Sequence, residues 1–380
     1  MRKKGASGLK IAMVVERFPP DIGGSGVRFF EIAKRLSKKH QVDIFTLGQP
    51  SIQSSTFGFR VHSINAGPAL LSHLKIHRVV IHSLFSFFHL LGQSYDVVDV
   101  DFWPALPFFS AKISRPKTVI IVSWNVAWPF SFYSPVSKAV NTIACAVSRL
   151  STLNVTVSAF AKKNLLENLK MPQDRLEIIP NGVAQEFLEA QVSPQWGRMI
   201  FVGRLEPQKR LDLVLKAFLI ASKRLDGLEL HIIGSGPLYS QLSSLSKQVT
   251  GLYLHGPISP SMTAELVSEL KKSWIFVTAS EFETYGMAMA ESLSVGLPVL
   301  LTQTHNNGAI SELVNNAHNG LIVKHNDPKA IADAIERLHN DKELWKKLSF
   351  NAKYKTTLYS WDDIAKKTED VYVRACGACV

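Results

Sequence analysis

Short apolar runs recur along the whole chain, and the longer stretches between them return an apolar residue every third or fourth position. The runs suit strands buried on both faces, and the stretches suit helices laid over a sheet. In the first half the runs fall at Lys10–Val15, Val42–Leu47, Asp96–Val100, Thr118–Val122, Asn154–Ser158 and Leu176–Ile179. In the second half they fall at Met199–Val202, Glu229–Ile233, Leu252–His255, Trp274–Thr278, Val299–Leu301 and Gly320–Val323. Strand and helix alternate throughout, which predicts an α/β chain with parallel, doubly wound sheets. Pro180 and Asn181-Gly182 break the alternation, and it restarts at Met199. The expected domains are therefore residues 1–185 and 186–360, followed by a terminal helix and tail, 361–380, able to pack back on the N-terminal domain.

Between two of these runs lies Ser280–Pro298, SEFETYGMAMAESLSVGLP. It reads as a loop followed by a helix opening at Gly286, with an acid at each end: Glu283 in the loop and Glu291 facing inward along the helix. Backbone amides from Thr284 to Met287 would meet an anion at the helix N-terminus. One acid can hold the hydroxyls of one group and the second acid those of another, with a diphosphate between them. A nucleotide sugar has this layout, although an ordinary strand-loop-helix unit with a solvent Glu and a capping Glu has the same pattern. Upstream, FVGRLEPQKRLD ends a strand at Gly203 and places Arg204 and Lys209 around a loop, two cations able to neutralise a diphosphate leaving group without a metal ion.

With 46% hydrophobic and 19% charged residues among 380, the chain can bury the cores of two domains. No apolar run reaches the ~18 residues of a spanning helix, and the run after Arg2, Lys3 and Lys4 is too short for a signal peptide. Cys145, Cys376 and Cys379 are too few for a disulfide framework, so a cytoplasmic location is expected, and Cys376-x-x-Cys379 reads as an incidental tail. Charge changes the picture more. Residues 1–185 carry 22 Lys and Arg against 10 Asp and Glu, while residues 186–380 carry 21 of each, so the whole formal +12 belongs to the N-terminal half. Such a field draws anions. In Ala69–Gly92, His73, Lys75, His77, Arg78, His82 and His89 interrupt a broad apolar stripe, which reads as a helix covering a sheet or as a basic amphipathic helix on an anionic membrane. No nucleic-acid recognition module is present.

Phe18–Gly26, FPPDIGGSG, is a turn leading into a helix from about Val27 to Lys38, and Phe29 stands where a dinucleotide loop needs its third glycine. GGSG, IPNGV at Ile179–Val183, VGRLEPQKRLD, HIIGSGP at His231–Pro237, and the Glu283 and Glu291 pair followed by GLPV together resemble glycosyltransferase family 4 (glycosyl transferases group 1) over nearly the whole chain. That resemblance implies a GT-B architecture, two Rossmann-like domains facing a central cleft, with the acceptor on the N-terminal domain and a nucleotide-sugar donor on the C-terminal one. It implies that Arg204 and Lys209 bind the donor diphosphate, that Glu283 binds the sugar hydroxyls and that Glu291 binds the ribose. Gly23, Gly24, Gly203, Gly234, Gly236, His255, Thr284, Tyr285, Gly286 and Met287 would line the rest of the donor site. No metal and no cofactor are expected.

Some positions depart from that family's pattern. Where many members carry a histidine beside the transferred sugar, this chain reads VSWNVAW, with Asn125, or Ser123 in another register. An amide can bond a sugar hydroxyl but cannot take up a proton. Asp99-x-Asp101 spells a metal-binding D-x-D of the other main glycosyltransferase fold and reads as coincidence here. Ala184 replaces the acid that commonly follows NGV. The expected function is retaining transfer of a hexose from a UDP- or GDP-sugar to a saccharide or lipid-linked acceptor, with peripheral membrane contact through the N-terminal domain. The alternative is a non-catalytic sugar-nucleotide-binding homologue acting as a subunit or regulator.

Overall fold

The computed structural model describes residues 8–19, 23–48, 57–64, 76–102, 105–125, 135–259 and 262–378. The chain divides into two compact units, one comprising residues 1–182 with 361–380 and the other residues 183–360.

The first unit carries a parallel seven-stranded sheet built from β1 (Lys10–Val14), β2 (Gln41–Leu47), β3 (Arg60–Ile64), β4 (Val97–Asp101), β5 (Val119–Trp124), β6 (Leu153–Thr156) and β7 (Leu176–Ile178), in the order β3-β2-β1-β4-β5-β6-β7. Its central strands are buried along their whole length because helices cover both faces. Strand β3 was not expected from the sequence: RVHSI has one buried neighbour and an edge position, so its residues stay half-exposed and carry little apolar signal. The helix after β1 spans Gly24–Leu36, which puts Gly24 in its first turn instead of in the loop before it. Residues 20–22 of that loop, residues 69–75 of the expected basic helix and Cys379 lie outside the described residues. The rest of the basic helix is Ile76–Leu91.

The last helix, Trp361–Ala378, belongs to this first unit. Gly182 lies against the Trp361 ring, where an added Cβ would come within 2.7 Å. Arg35 pairs with Asp362, Lys39 and His40 with Glu369, and Arg374 with Glu177. Inside, the Tyr372 hydroxyl donates to the buried carboxylate of Asp99.

The second unit carries a parallel six-stranded sheet built from β8 (Arg198–Val202), β9 (Glu229–Ile233), β10 (Leu252–His255), β11 (Ile275–Thr278), β12 (Val299–Gln303) and β13 (Gly320–Lys324), in the order β10-β9-β8-β11-β12-β13. Its core gathers Phe201, Phe218, Leu230, Trp274 and Leu300 from the sheet and neighbouring helices, with Trp345 closing one side. The Trp345 indole donates to the Trp274 carbonyl at 2.8 Å, so that large ring is buried without an unsatisfied N–H. Asp327 and Asp341 each cap a following helix by accepting from the amide three residues on, at 3.0 and 2.8 Å.

Candidate active site

Each sheet reverses its strand order once, between β1 and β4 in the first unit and between β8 and β11 in the second. In a doubly wound sheet the loops leaving the two strands at such a point diverge to opposite sides and leave a crevice at their carboxyl ends, the usual place for a ligand. Arg204, Lys209 and Glu283 collect at the second of these points and Gly23, Gly24 and Asn125 lie at or beside the first, whereas His255 lies apart on the edge strand β10.

In the second unit, the loop after β8 carries Arg204 and Lys209 and the loop after β11 carries Glu283. The Lys209 ammonium pairs with the Glu283 carboxylate, both side chains being largely buried, and Arg204 pairs with Glu206 at 2.7 Å. Both cations assigned to a diphosphate are thus held by acids of the same chain. Arg210, which the sequence reading left out although it belongs to the same GRLEPQKR run, bonds Asp212 at 3.0 Å, Glu281 at 2.7 Å and Asn326 at 2.7 Å. With the Glu281 amide donating to the Gln208 carbonyl at 2.9 Å, it ties the two loops together across the switch point. Glu283 is pinned from the far side as well. Its amide donates to Asn306 O at 3.0 Å, and its carbonyl accepts from Gly308 N at 2.7 Å. Between them Asn307 is buried, and its Nδ2 has no partner among the described residues.

The helix expected after Glu283 spans Met287–Ser294, with Gly286 as its N-cap at φ +90°, a left-handed conformation that suits glycine. Thr284 and Tyr285 complete the turn into it, and Tyr285 is buried. Glu291 follows one turn into the helix; burial alone lifts its carboxyl to about 8. The glycines of HIIGSGP have a packing reason. A Cβ on Gly234 would lie 1.9 Å from the Gly203 carbonyl oxygen, because the loops after β8 and β9 run against each other there, and Gly236 lies in the same loop against Leu205.

His255 ends β10, the edge strand, with two strands between it and β11. Its Nε2 meets Nδ1 of His231 at 2.9 Å. Arg198 donates to that same Nδ1 at 3.2 Å and pairs with Glu269, while His231 Nε2 meets Glu229 at 3.0 Å. A guanidinium can only donate, so His231 accepts at Nδ1 and donates from Nε2. Burial holds its pKa below the ordinary histidine value. His231, His255 and Glu269 have the spacing of metal ligands, yet the Arg198 guanidinium bonds two of the three, a fixed cation where an ion would have to enter.

In the first unit, Gly23 caps and Gly24 opens the helix after β1. Asp101 ends β4, and Asn125 follows β5. The Asn125 amide donates to Asp101 at 3.1 Å, and Ser123 one turn of the pleat earlier donates to Asp99 at 2.8 Å. Asn125, not Ser123, therefore stands at the carboxyl edge. Arg28, buried one turn into the helix, donates to Pro180 O at 2.7 Å and Asn181 Oδ1 at 3.0 Å, which gives IPNGV a structural role in holding the end of the unit.

Two parallel, doubly wound units with charged groups at both switch points are the two Rossmann-like domains that the resemblance to a GT-B chain implied. The description "Glycosyl transferases group 1" matches residues 193–355, and "Glycosyltransferase Family 4" matches residues 22–187. An uncharacterized glycosyltransferase of Methanocaldococcus jannaschii is 26% identical over 96% of this chain and 98% of that protein. Sucrose-phosphate synthase from Thermosynechococcus elongatus superposes with TM-score 0.80 at 18% identity, over 97% of this chain and 99% of that one. HepE of Anabaena, solved in complex with UDP-glucose, superposes with TM-score 0.76 at 14% identity, over 96% and 100%. The chain belongs to glycosyltransferase family 4 and is a glycosyltransferase.

Proposed function

We propose that the protein is a retaining, metal-independent hexosyltransferase that uses a UDP- or GDP-sugar and glycosylates a saccharide or lipid-linked acceptor. The observation that carries this reading is the Lys209 and Glu283 pair at the second unit's switch point, with Arg204 on the same loop as Lys209. When the sugar C1–O bond breaks, the electron pair leaves with the diphosphate. Lys209 and Arg204 stabilise that charge without a metal ion, and a diphosphate competes with Glu283 and Glu206 for them. Glu283, once released, accepts from sugar hydroxyls, and Glu291 accepts from the ribose. The acceptor oxygen attacks from the face the leaving group occupies, and a leaving phosphate oxygen takes its proton, so no protein nucleophile is required and an amide at Asn125 is compatible with turnover. HepE, described with UDP-glucose bound, supports the donor class.

A thermal-shift screen against UDP-, GDP- and ADP-sugars tests the reading, since a ligand at a hundred times its Kd stabilises the native state by about 2.7 kcal/mol. One nucleotide series should raise the Tm, and that donor should be turned over equally well in EDTA. Absence of any shift would sink the donor assignment. Binding without turnover would favour the non-catalytic homologue, and loss of activity in EDTA would return Asp99-x-Asp101 to consideration as a metal site.

Membrane contact through the first unit has its own support. No helix among the described residues is long and apolar enough to cross a membrane. The helix Ile76–Leu91 nevertheless leaves Val80, Leu84, Phe88 and Leu91 exposed along one stripe, with Phe88 65% accessible. Next to the basic excess of residues 1–185, this stripe suits an anionic membrane bearing a lipid-linked acceptor.

A further inference from the structure

In the second unit β11 lies between β8 and β12, so the loop that carries Glu283 has a neighbouring loop on each side. The one after β12 backs it closely. Asn306 and Gly308 bond the Glu283 backbone, so that Glu283 and Asn307 stand opposite each other as a single parallel bridge. Residues paired in this way send their side chains to the same face, with the two backbones about 4.8 Å apart. The segments stay close further on, where a Cβ on Gly286 would come within 3.1 Å of the Ala309 side chain. The Asn307 amide is fixed in orientation. Its Oδ1 accepts from Ala309 N at 3.1 Å, and because a backbone N–H can only donate, the amide cannot be turned round. Nδ2 is the end left over, on a residue 4% exposed, and it meets no acceptor among the described residues. A buried N–H in that state is costly and calls for a reason.

We propose that Asn307 is a positioning residue for Glu283: when a diphosphate draws Lys209 away, the Glu283 carboxylate turns to the waiting Asn307 N–H and is held there for the sugar. The inference rests on the donor reading of this site and adds the partner that Glu283 takes once the donor is bound. Lys209 reaches Glu283 from the loop after β8, and Asn307 lies beside it from the loop after β12. The carboxylate thus has a cation on one side and a neutral donor on the other. Without the second, displacing Lys209 would leave a largely buried carboxylate unpaired, which is the expensive state. An amide N–H bonds a carboxylate with charge assistance yet brings no charge of its own, so it steadies the acid without holding the diphosphate's negative charge. One such bond leaves most of the lone-pair directions of the carboxylate to sugar hydroxyls. The N–H lacks an acceptor only while Lys209 holds the acid, which accounts for its being unpaired in this structure.

The test is calorimetric titration of the full chain with UDP and with GDP, for the wild type, Asn307→Asp and Asn307→Ser, and for both substitutions in a Glu283→Gln background. Asn307→Asp keeps an oxygen for Ala309 N but turns an acceptor toward Glu283, and it should weaken whichever diphosphate the wild type binds by about tenfold or more. Asn307→Ser buries no charge and loses the N–H, for an expected loss of about fivefold. In Glu283→Gln no carboxylate has to be received, so there both substitutions should change affinity by less than about twofold. A residue that only shaped the loop would cost the same in both backgrounds. The role is overturned if Asn307→Asp binds the diphosphate as well as the wild type, or if its loss is as large in Glu283→Gln. If Asn307→Asp does not fold, Asn307→Ser decides by the same comparison. A wild-type chain that binds neither UDP nor GDP overturns the donor reading and this role with it, an outcome distinct from binding that Asn307 does not influence.

Discussion

The two sheets make the same kind of crevice and fill it with opposite chemistry. At the β8/β11 point of the second unit, Arg204, Lys209 and Arg210 each carry a carboxylate partner. At the β1/β4 point of the first unit, Asp99 and Asp101 are buried and bonded to hydroxyls and an amide, with the Arg28 charge acting on Asp99, and their carboxyl pKa values are raised by desolvation. Cations paired in this way can be released to an anion that displaces the pairing acid, whereas a carboxyl buried among hydroxyls and an amide is held closer to its neutral form. The charge outside runs the other way: residues 1–185 hold all the formal excess of positive charge, yet the groups buried at their switch point include two acids. Net charge therefore reports on what approaches the surface, and only the packing shows what reaches the site.

The comparison breaks most sharply at Lys209. Lys209→Ala should lower kcat/KM for the donor about a hundredfold to a thousandfold, the usual cost of one charge-stabilising group, and Glu283→Ala should do the same. Circular dichroism should show both variants folded, because neither side chain belongs to the core. If either turned over the donor normally, the cationic switch point would lose its assigned role.

A smaller effect concerns Glu291. Burial pushes its folded carboxyl up to about 8 from the ordinary 4.5, so between those values the folded chain keeps a proton that the unfolded chain has released. Stability is therefore favoured below the unfolded value and falls as pH rises through the folded one. In the role proposed for Glu291 the ribose hydroxyls bind its ionised form, so UDP affinity should move in the opposite sense and improve roughly tenfold from pH 6.5 to 8.5. Calorimetric titration with UDP and thermal unfolding at both pH values would measure the two trends. Glu291→Gln should flatten both, and a flat wild-type profile would contradict the assignment.

The smallest effect belongs to the surface of the first unit. Co-sedimentation with anionic vesicles should exceed that with neutral vesicles at low salt, fall as salt shortens the Debye length, and drop a few-fold in Leu84→Asp/Phe88→Asp. Equal binding to both kinds of vesicle would leave the basic excess to a soluble acceptor.

Most of the strands, and the loop and helix that carry Glu283 and Glu291, were legible as runs and breaks in the sequence, because a strand buried on both faces has to be apolar at nearly every position. The edge strand β3 was not, since it has only one side to bury. Arg204, Lys209 and Gly286 could be placed from local order alone, as loop residues beside strand ends. What local order could not give was partnership. That Lys209 meets Glu283 across 74 residues, that Tyr372 reaches Asp99 across 273, and that His255 bonds His231 all depend on strand order, which pairs segments far apart in the chain. The D-x-D changed meaning for the same reason. In the sequence, Asp99 and Asp101 are two spaced acids; burial on β4 between Ser123, Asn125 and the last helix is what holds their carboxyls high. The sequence by itself determined the alternation, the residue types at the strand ends and the family. The tertiary structure decided which charges neutralise each other and which are left to face a ligand, because desolvation and pairing are properties of neighbours in space.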